Sequence, residues 1–405
     1  MDTVLIQEIK ECGAEHPARI LDFDVLLSGL LEEEKKGNVN IKYHPDYPQL
    51  ALFKYTQDCV TERNWNKFTL MSRGLILDIE DKKVVATSFT KFFNYSEMED
   101  GECSFLEPDF TTSLKYDGSL IITFSFKDKW MTATCGSFIS DQAIWAREWL
   151  YNNVNIEHLD ITNSYNFEAI YPENKIVVSY DFSGLVLLSI FDKYGLEYTS
   201  SMLEYEANHI GTKLRKEYKF NNVSRILKIA KKLDHNQEGF VIRFKSGVRL
   251  KIKGDEYVRI HRLISRVTPI SIWELLLNKD DLVSIRKDLP EELEKDFNTM
   301  VSILQENLET FIEEVETIYE NTKNMSDKEF GIYLYQHPEA FEGGRYTDAK
   351  RFIFMRRNNK FYEGLSDVNS KMRRKIFNVF RPTGNNLVGY QPSNVINRFS
   401  EETDC

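Results

Sequence analysis

Lys115-Tyr116-Asp117-Gly118-Ser119-Leu120 opens the stretch that decides the fold, because it runs directly into Ile121-Ile122-Thr123-Phe124-Ser125-Phe126. Ser119 to Phe126 reads as a strand, Lys127-Asp128-Lys129 as a hairpin turn, and Trp130 to Thr134 as the returning strand. Outward from that hairpin, Asp141 to Tyr151 reads as a helix with Asp141 as its N-cap. Phe167 to Tyr171, Ile176 to Tyr180 and Leu185 to Phe191 read as successive strands. Asn222 to Leu233 reads as a helix, and Gly239 to Phe244 with Val248 to Lys253 as a second hairpin turning at Lys245-Ser246-Gly247. Meanders of strands with interleaved helices point to an α+β domain of antiparallel sheets rather than a doubly wound one.

A lysine just before a strand can do chemistry. Its amine can attack phosphorus and hold the product as a phosphoramidate. It must first lose a proton, which at pH 7 costs roughly 4.6 kcal/mol for an unaided lysine, and nearby cations or a metal lower that cost. Alone, a lysine beside an Asp-Gly turn is ordinarily a solvated side chain. Here it is one of a series: Ser72-Arg73-Gly74, Lys91-Phe92-Phe93-Asn94, Phe167-Glu168-Ala169, Glu238-Gly239-Phe240-Val241 and Leu250-Lys251-Ile252-Lys253. The period of two puts Lys251 and Lys253 on one strand face, which suits an anion such as a nucleotide α-phosphate. Two glutamates at strand starts suit a ribose hydroxyl and a divalent metal.

The ordered set K-x-D-G-S, F-E-A, E-G-F-V and K-I-K, with S-R-G and K-F-F-N upstream, resembles the phage-type RNA ligase 1 family over roughly residues 50–262. The resemblance implies an N-terminal nucleotidyltransferase (ATP-grasp-like ligase) domain, ATP and Mg²⁺ or Mn²⁺, and RNA with 5′-phosphate and 3′-hydroxyl ends. It implies Lys115 as the nucleophile that takes AMP, Glu168 on the ribose, Glu238 as the metal-placing carboxylate, and Lys251 and Lys253 on the α-phosphate. Arg73 matches the arginine near the AMP phosphate and ribose. Lys91 and Tyr55 match residues on the pyrophosphate side. Gly118 and Ser119 complete the first motif, Val241 packs on adenine, and Tyr257 matches a tyrosine near the active site. Asp117 either orients the nucleophile, supports metal-bound water, or caps the Gly118 turn. Some family members carry a lysine before the Gly-Ser of the second hairpin strand. Cys135 stands there, before Gly136-Ser137, so that cation is missing or supplied elsewhere.

The whole chain, 405 residues, is long enough for two domains. Lys plus Arg number 52 against 63 Asp plus Glu, a net charge of −11, which excludes a uniformly basic coat but not local basic patches. Cys12, Cys59, Cys103, Cys135 and Cys405 are scattered and odd in number, which fits free thiols in a reducing cytosol. The start, M-D-T-V-L-I-Q-E-I-K, shows no secretory pattern, and the expectation is a cytoplasmic protein, in the host cytoplasm if viral. Monomer is the default expectation, with no membrane association. Residues 1–262 form the expected catalytic domain and 263–405 an all-α C-terminal domain, the expected RNA-specificity module. Within the latter, Asp280 to Glu342 holds 17 acidic and 5 basic residues, and Arg345 to Arg381 holds 11 basic and 3 acidic ones. Leu293, Phe297, Met300, Leu304, Leu308, Phe311, Val315 and Ile318 mark one long amphipathic helix, with Pro290 near its first turn. The basic stretch, with Phe352, Phe354, Phe361, Tyr362, Phe377 and Phe380, reads either as an RNA surface or as basic faces around an aromatic core. The resemblance implies repair of nicked tRNA as the natural task of phage-type relatives. Two other readings stay open: a DNA ligase or GTP-dependent capping nucleotidyltransferase, and an inactive protein that binds RNA ends.

Overall fold

The computed structural model describes residues 15–97, 109–265, 267–287, 289, 291–336, 350–384 and 386–392. They fall into two compact units, one within residues 1–261 and one within 262–397.

In the first unit, helix α1 (Phe23–Lys35) precedes strands β1 (Val39–Tyr43) and β2 (Leu50–Tyr55). Helix α2 (Lys67–Met71), β3 (Arg73–Asp78) and β4 (Lys83–Ala86) follow. These strands form one sheet in the order β1-β2-β3-β4. Its central strands are apolar almost without interruption because both faces are covered. Ala51, Phe53, Leu75 and Leu77 pack with Leu26 and Leu30 of α1, while Leu52 and Ile76 pack with Ile122 and Phe124.

The next strands are β5 (Phe93–Asn94), β6 (Phe110–Lys115), β7 (Ser119–Phe126) and β8 (Lys129–Ala133). Helix α3 (Asp141–Asn153) leads to β9 (Ser164–Ile170) and β10 (Gly184–Phe191). Then come α4 (Ser200–Ile210), β11 (Lys213–Leu214), β12 (Glu217–Tyr218), α5 (Val223–Ala230), β13 (Gly239–Phe244), β14 (Arg249–Lys253) and α6 (Asp255–Ser265). Two further sheets result, ordered β11-β10-β9-β7-β8 and β12-β6-β13-β14-β5. All pairings are antiparallel except the short edge pairs β10–β11 and β14–β5. The unit is therefore mixed α+β, as the pattern predicted.

Both hairpins form where expected. Lys127 and Asp128 take positive φ of 49° and 58°, and Phe126 pairs with Lys129, the geometry of a two-residue turn that matches strand twist. In β13 and β14 the period of two divides the work. Phe240, Ile242, Leu250 and Ile252 pack on Ile226 and Ala230 of α5, and Val241, Lys251 and Lys253 line a cavity on the other face.

Three local expectations need correcting. Ile176 to Tyr180 is no strand; the N–H groups of Val177 and Val178 donate instead to the Asp117 carboxylate, at 2.9 and 2.8 Å. The N-cap of α3 is Ser140, whose hydroxyl accepts from the Ala143 N–H, and Asp141 is the first helical residue. Glu168 lies inside β9 rather than at its start, whereas Glu238 immediately precedes β13.

The second unit contains helices α7 (Pro269–Asn278), α8 (Leu282–Lys287), α9 (Glu291–Thr322), α10 (Asp327–Gln336), α11 (Lys350–Arg357), α12 (Lys360–Ser366) and α13 (Lys371–Asn378). On α9 the stripe from Leu293 to Val315 is buried apart from half-buried Leu308. Phe352, Phe361, Phe377 and Phe380 are buried too, so most aromatics of the basic stretch are core. Arg373 donates to the carbonyls of Leu276, Leu277 and Leu365, closing the end of α7. Pro290, Arg345, Cys12, Cys103 and Cys405 lie outside the described residues; Cys59 and Cys135 are buried.

Ser140→Ala should cost about 1 kcal/mol, the usual value of an N-cap, and Asp141→Ala a few tenths. Urea unfolding of the two variants checks this; equal losses would restore Asp141 as the cap.

Candidate active site

Lys115 ends β6 directly opposite Gly239, the first residue of β13. That register brings Glu238 beside it. The Lys115 Nζ lies 2.7 Å from Glu238 Oε2, and Lys253 Nζ lies 2.9 Å from Oε1 of the same carboxylate. Glu238 is 2% exposed. Burial acts to raise its pKa, but Lys115 and Lys253 outweigh burial and hold it down at about 2. For Lys115, burial acts to lower the pKa, but Glu238, Glu168 and Asp117 outweigh it and hold it above the usual lysine range. Lys115 is thus held as an ammonium in the free protein, opposite to the depression expected from nearby cations. Lys251 has no carboxylate to answer it among the described residues. Burial first, and then Lys91, Lys253, Lys115 and Arg73, push it well below the ordinary value.

These groups line one cavity of about 620 Å³, walled by ten basic and three acidic side chains. In a chain of net charge −11, that concentration of cations is an anion site by construction. Every residue singled out from the sequence lines it: Tyr55, Arg73, Lys91, Lys115, Asp117, Gly118, Ser119, Glu168, Glu238, Val241, Lys251, Lys253 and Tyr257. Lys91 holds its ammonium over the rings of Tyr55, Trp65 and Phe93, 5.1 to 5.6 Å from their centroids.

The turn after Lys115 is tied on both sides. Asp117 is 4% exposed and spends its carboxylate on Val177, Val178 and the Tyr257 hydroxyl, while its own N–H donates to the Tyr180 hydroxyl. It is a bracket for the turn. Gly118 donates its N–H to Glu168 Oε1 at 3.1 Å, and a Cβ there would sit 2.5 Å from the Ala169 carbonyl oxygen. Only glycine permits that approach. The Ser119 hydroxyl donates to Asn174, which in turn donates to the Ala169 carbonyl. Burial pushes the Glu168 pKa up to about 7, against the pull of Lys115.

A family model described as RNA ligase matches residues 71–257, the segment that builds this site. Over these residues the chain is similar to that RNA ligase family. Among relatives, a protein of Autographa californica nuclear polyhedrosis virus described as a bifunctional polynucleotide kinase/RNA ligase is 27% identical over 70% of this chain. The chain spans about half of that relative's length, 47%. An RNA ligase of Rhodothermus phage RM378 is 22% identical over 69% of this chain and 82% of its own length. Among solved structures, an archaeal ATP-dependent RNA ligase aligns with a TM-score of 0.46 at 11% identity, covering 72% of this chain and 82% of its own.

The site also contains residues the motif reading missed. Arg243 and Arg249 continue the alternation of β13 and β14 along the same wall, and buried Glu197 bonds both. The R-L-K-I-K spacing carried the signal for Arg249. His261 lines the cavity beside Tyr257, its pKa lowered to about 4 by burial and then by Lys253. Lys54, next to Tyr55, lines the wall at Gly136. No group of three or more His, Cys, Asp or Glu that could hold a metal occurs among the described residues.

Glu168 gives a pH test. Its folded value of about 7 lies above the ordinary 4.5, so the folded chain binds the extra proton. The stability this contributes is full below pH 4.5 and lost as pH rises through 7. The stability difference between wild type and Glu168→Gln should fall by up to about 3 kcal/mol between pH 5 and pH 8, read from urea midpoints. A flat difference would refute the raised value.

Proposed function

We propose that the chain is an ATP-dependent RNA ligase that joins 5′-phosphate and 3′-hydroxyl RNA ends through a lysyl-AMP intermediate. The observation that carries the reading is the Glu238 carboxylate held between Lys115 and Lys253, beside unanswered Lys251, in a cation-walled cavity.

Lys115 Nζ, once its ammonium has given up a proton to solvent, attacks the α-phosphorus of ATP; the N–P bond forms and the α–β P–O bond breaks, releasing pyrophosphate. The AMP then passes to an RNA 5′-phosphate, and a 3′-hydroxyl displaces AMP to seal the strand. Such transfers need positioning and charge neutralisation more than acid–base work. Lys251 and Lys253 take the charge on the α-phosphate, with Arg73 beside them. Glu168, braced by Gly118, accepts from a ribose hydroxyl. Val241 offers the base an apolar seat on the same sheet face. Glu238 keeps the Lys115 amine aimed into the cavity, and as the α-phosphate draws Lys253 away, that carboxylate becomes the metal-placing group. A bound Mg²⁺ or Mn²⁺ would supply charge neutralisation on the triphosphate and disfavour the Lys115 ammonium.

The C-terminal unit is proposed as an all-α RNA-specificity module, with exposed Lys360, Lys371, Arg374 and Lys375 as its phosphate contacts. A nicked tRNA is the proposed substrate, the host cytoplasm the proposed location, and a monomer the proposed state. No helix among the described residues is long and apolar enough to cross a membrane.

Incubation with ATP and Mg²⁺ should add one AMP, seen by intact mass. Absence of the adduct on the wild type would refute the ligase reading, and its persistence in Lys115→Ala would refute the nucleophile. Lys253→Ala should slow adduct formation by at least about 100-fold, since it removes a charged contact to the phosphate and leaves Glu238 half-paired; single-turnover kinetics measure it. Nicked anticodon stem-loop should be sealed faster than a linear single strand, and equal rates would remove the tRNA proposal.

A further inference from the structure

Lys54 is the penultimate residue of β2 and pairs in register with Arg73 of β3. Residues directly opposite in an antiparallel pair share a face, with Cβ atoms about 5 Å apart. Past the register shift at Phe53, Lys54 and Arg73 accordingly share the face that lines the cavity. Its side chain runs along the backbone of Gly136: a Cβ at that position would lie 3.1 Å from Lys54 Cδ and 3.4 Å from Nζ. A glycine has left the room this lysine occupies. Lys54, Arg73 and Gly136 all line the catalytic cavity. Buried Cys135, the preceding residue, offers no charge of its own kind there. Lys54 is only half-buried, and among the described residues it has no hydrogen-bond or ion-pair partner.

We propose that Lys54 binds the β- and γ-phosphates of the nucleoside triphosphate and stabilises the pyrophosphate as it leaves. The inference rests on the ligase reading above. After AMP transfer only one nucleotide phosphate remains, and Lys251, Lys253 and Arg73 already answer it. An ammonium beyond Arg73 has a nucleotide anion to meet only while the other two phosphates are present. When the α–β P–O bond breaks, its electron pair stays on the bridging oxygen, and the negative charge develops on the departing pyrophosphate. A fixed cation there lowers the cost of that charge. The neighbouring hydroxyls of Ser137 and Thr134, on the same wall, are further donors for phosphate oxygens.

The test separates the steps. Wild type and Lys54→Ala are converted to the lysyl-AMP form by long incubation with ATP, then discharged with inorganic pyrophosphate. Lys54→Ala should need about tenfold more pyrophosphate for half-maximal discharge, the size of one lost charged hydrogen bond, and should adenylylate from ATP correspondingly more slowly. Lys54→Arg should restore most of both. Sealing of a pre-adenylated RNA, which involves no triphosphate, should stay within about twofold of wild type. An unchanged pyrophosphate dependence in Lys54→Ala would overturn the assignment. So would an equal loss in sealing, which would move Lys54 to the RNA strand or to general support of the fold. A wild type that takes up no AMP would instead remove the ligase reading itself.

Discussion

One carboxylate shared by two ammonium groups organises this molecule. Glu238 sits just before β13, 2% exposed, with Lys115 on one oxygen and Lys253 on the other. A buried, unpaired carboxylate would be prohibitive. The register that seats Gly239 between Lys115 of β6 and Lys253 of β14 is what makes this one tolerable. The same pairing explains how the Lys115 amine is held as an ammonium in an open cavity. Lys115 stays protonated for as long as Glu238, Glu168 and Asp117 face it. Weakening that hold takes positive charge brought close to the amine, since any further anion would favour the ammonium.

Around this pair three sheets contribute to the site. The β1–β4 sheet supplies Lys42, Lys54 and Arg73; the sheet containing β6, β13 and β14 supplies five of the ten cations, while β9, in the sheet beside it, provides the acceptor Glu168. The turn between β6 and β7 joins the last two. Asp117 ties it to Val177, Val178 and Tyr257, and Gly118 ties it to Glu168. A short motif thus fixes two sheets relative to one reacting atom, the kind of rigid support that holds a site in productive geometry.

What could be read in the chain beforehand follows from this arrangement. The alternation in Leu250-Lys251-Ile252-Lys253 was legible because a strand with one apolar and one charged face leaves a period of two. The β7–β8 hairpin was legible because its two turn residues are bounded by β-forming runs. Ile176 to Tyr180 misled because β-branched residues look like a strand wherever they are buried, and nothing local reveals that their N–H groups serve a carboxylate about sixty residues away. Ser140 and Asp141 are both good caps, and only the backbone conformation chooses between them. The partners of Glu238 were visible as motif residues, but not their mutual pairing, which depends on strand register. Lys54 carried no signal at all, because its meaning comes from a glycine in the distant bend after β8. The fate of the aromatics between Phe352 and Phe380 was equally closed, since burial inside a helical core and display on a basic surface share one composition.

Strand β14 has a consequence for how this protein can vary through descent. Arg249, Lys251 and Lys253 face the chemistry while Leu250 and Ile252 face the core. A single inserted or deleted codon within the strand would exchange the two sets, burying ammonium groups in hydrocarbon and presenting aliphatic side chains to the substrate. Lineages of this protein can therefore explore new side chains here one at a time, but length changes must be confined to the flanking turns.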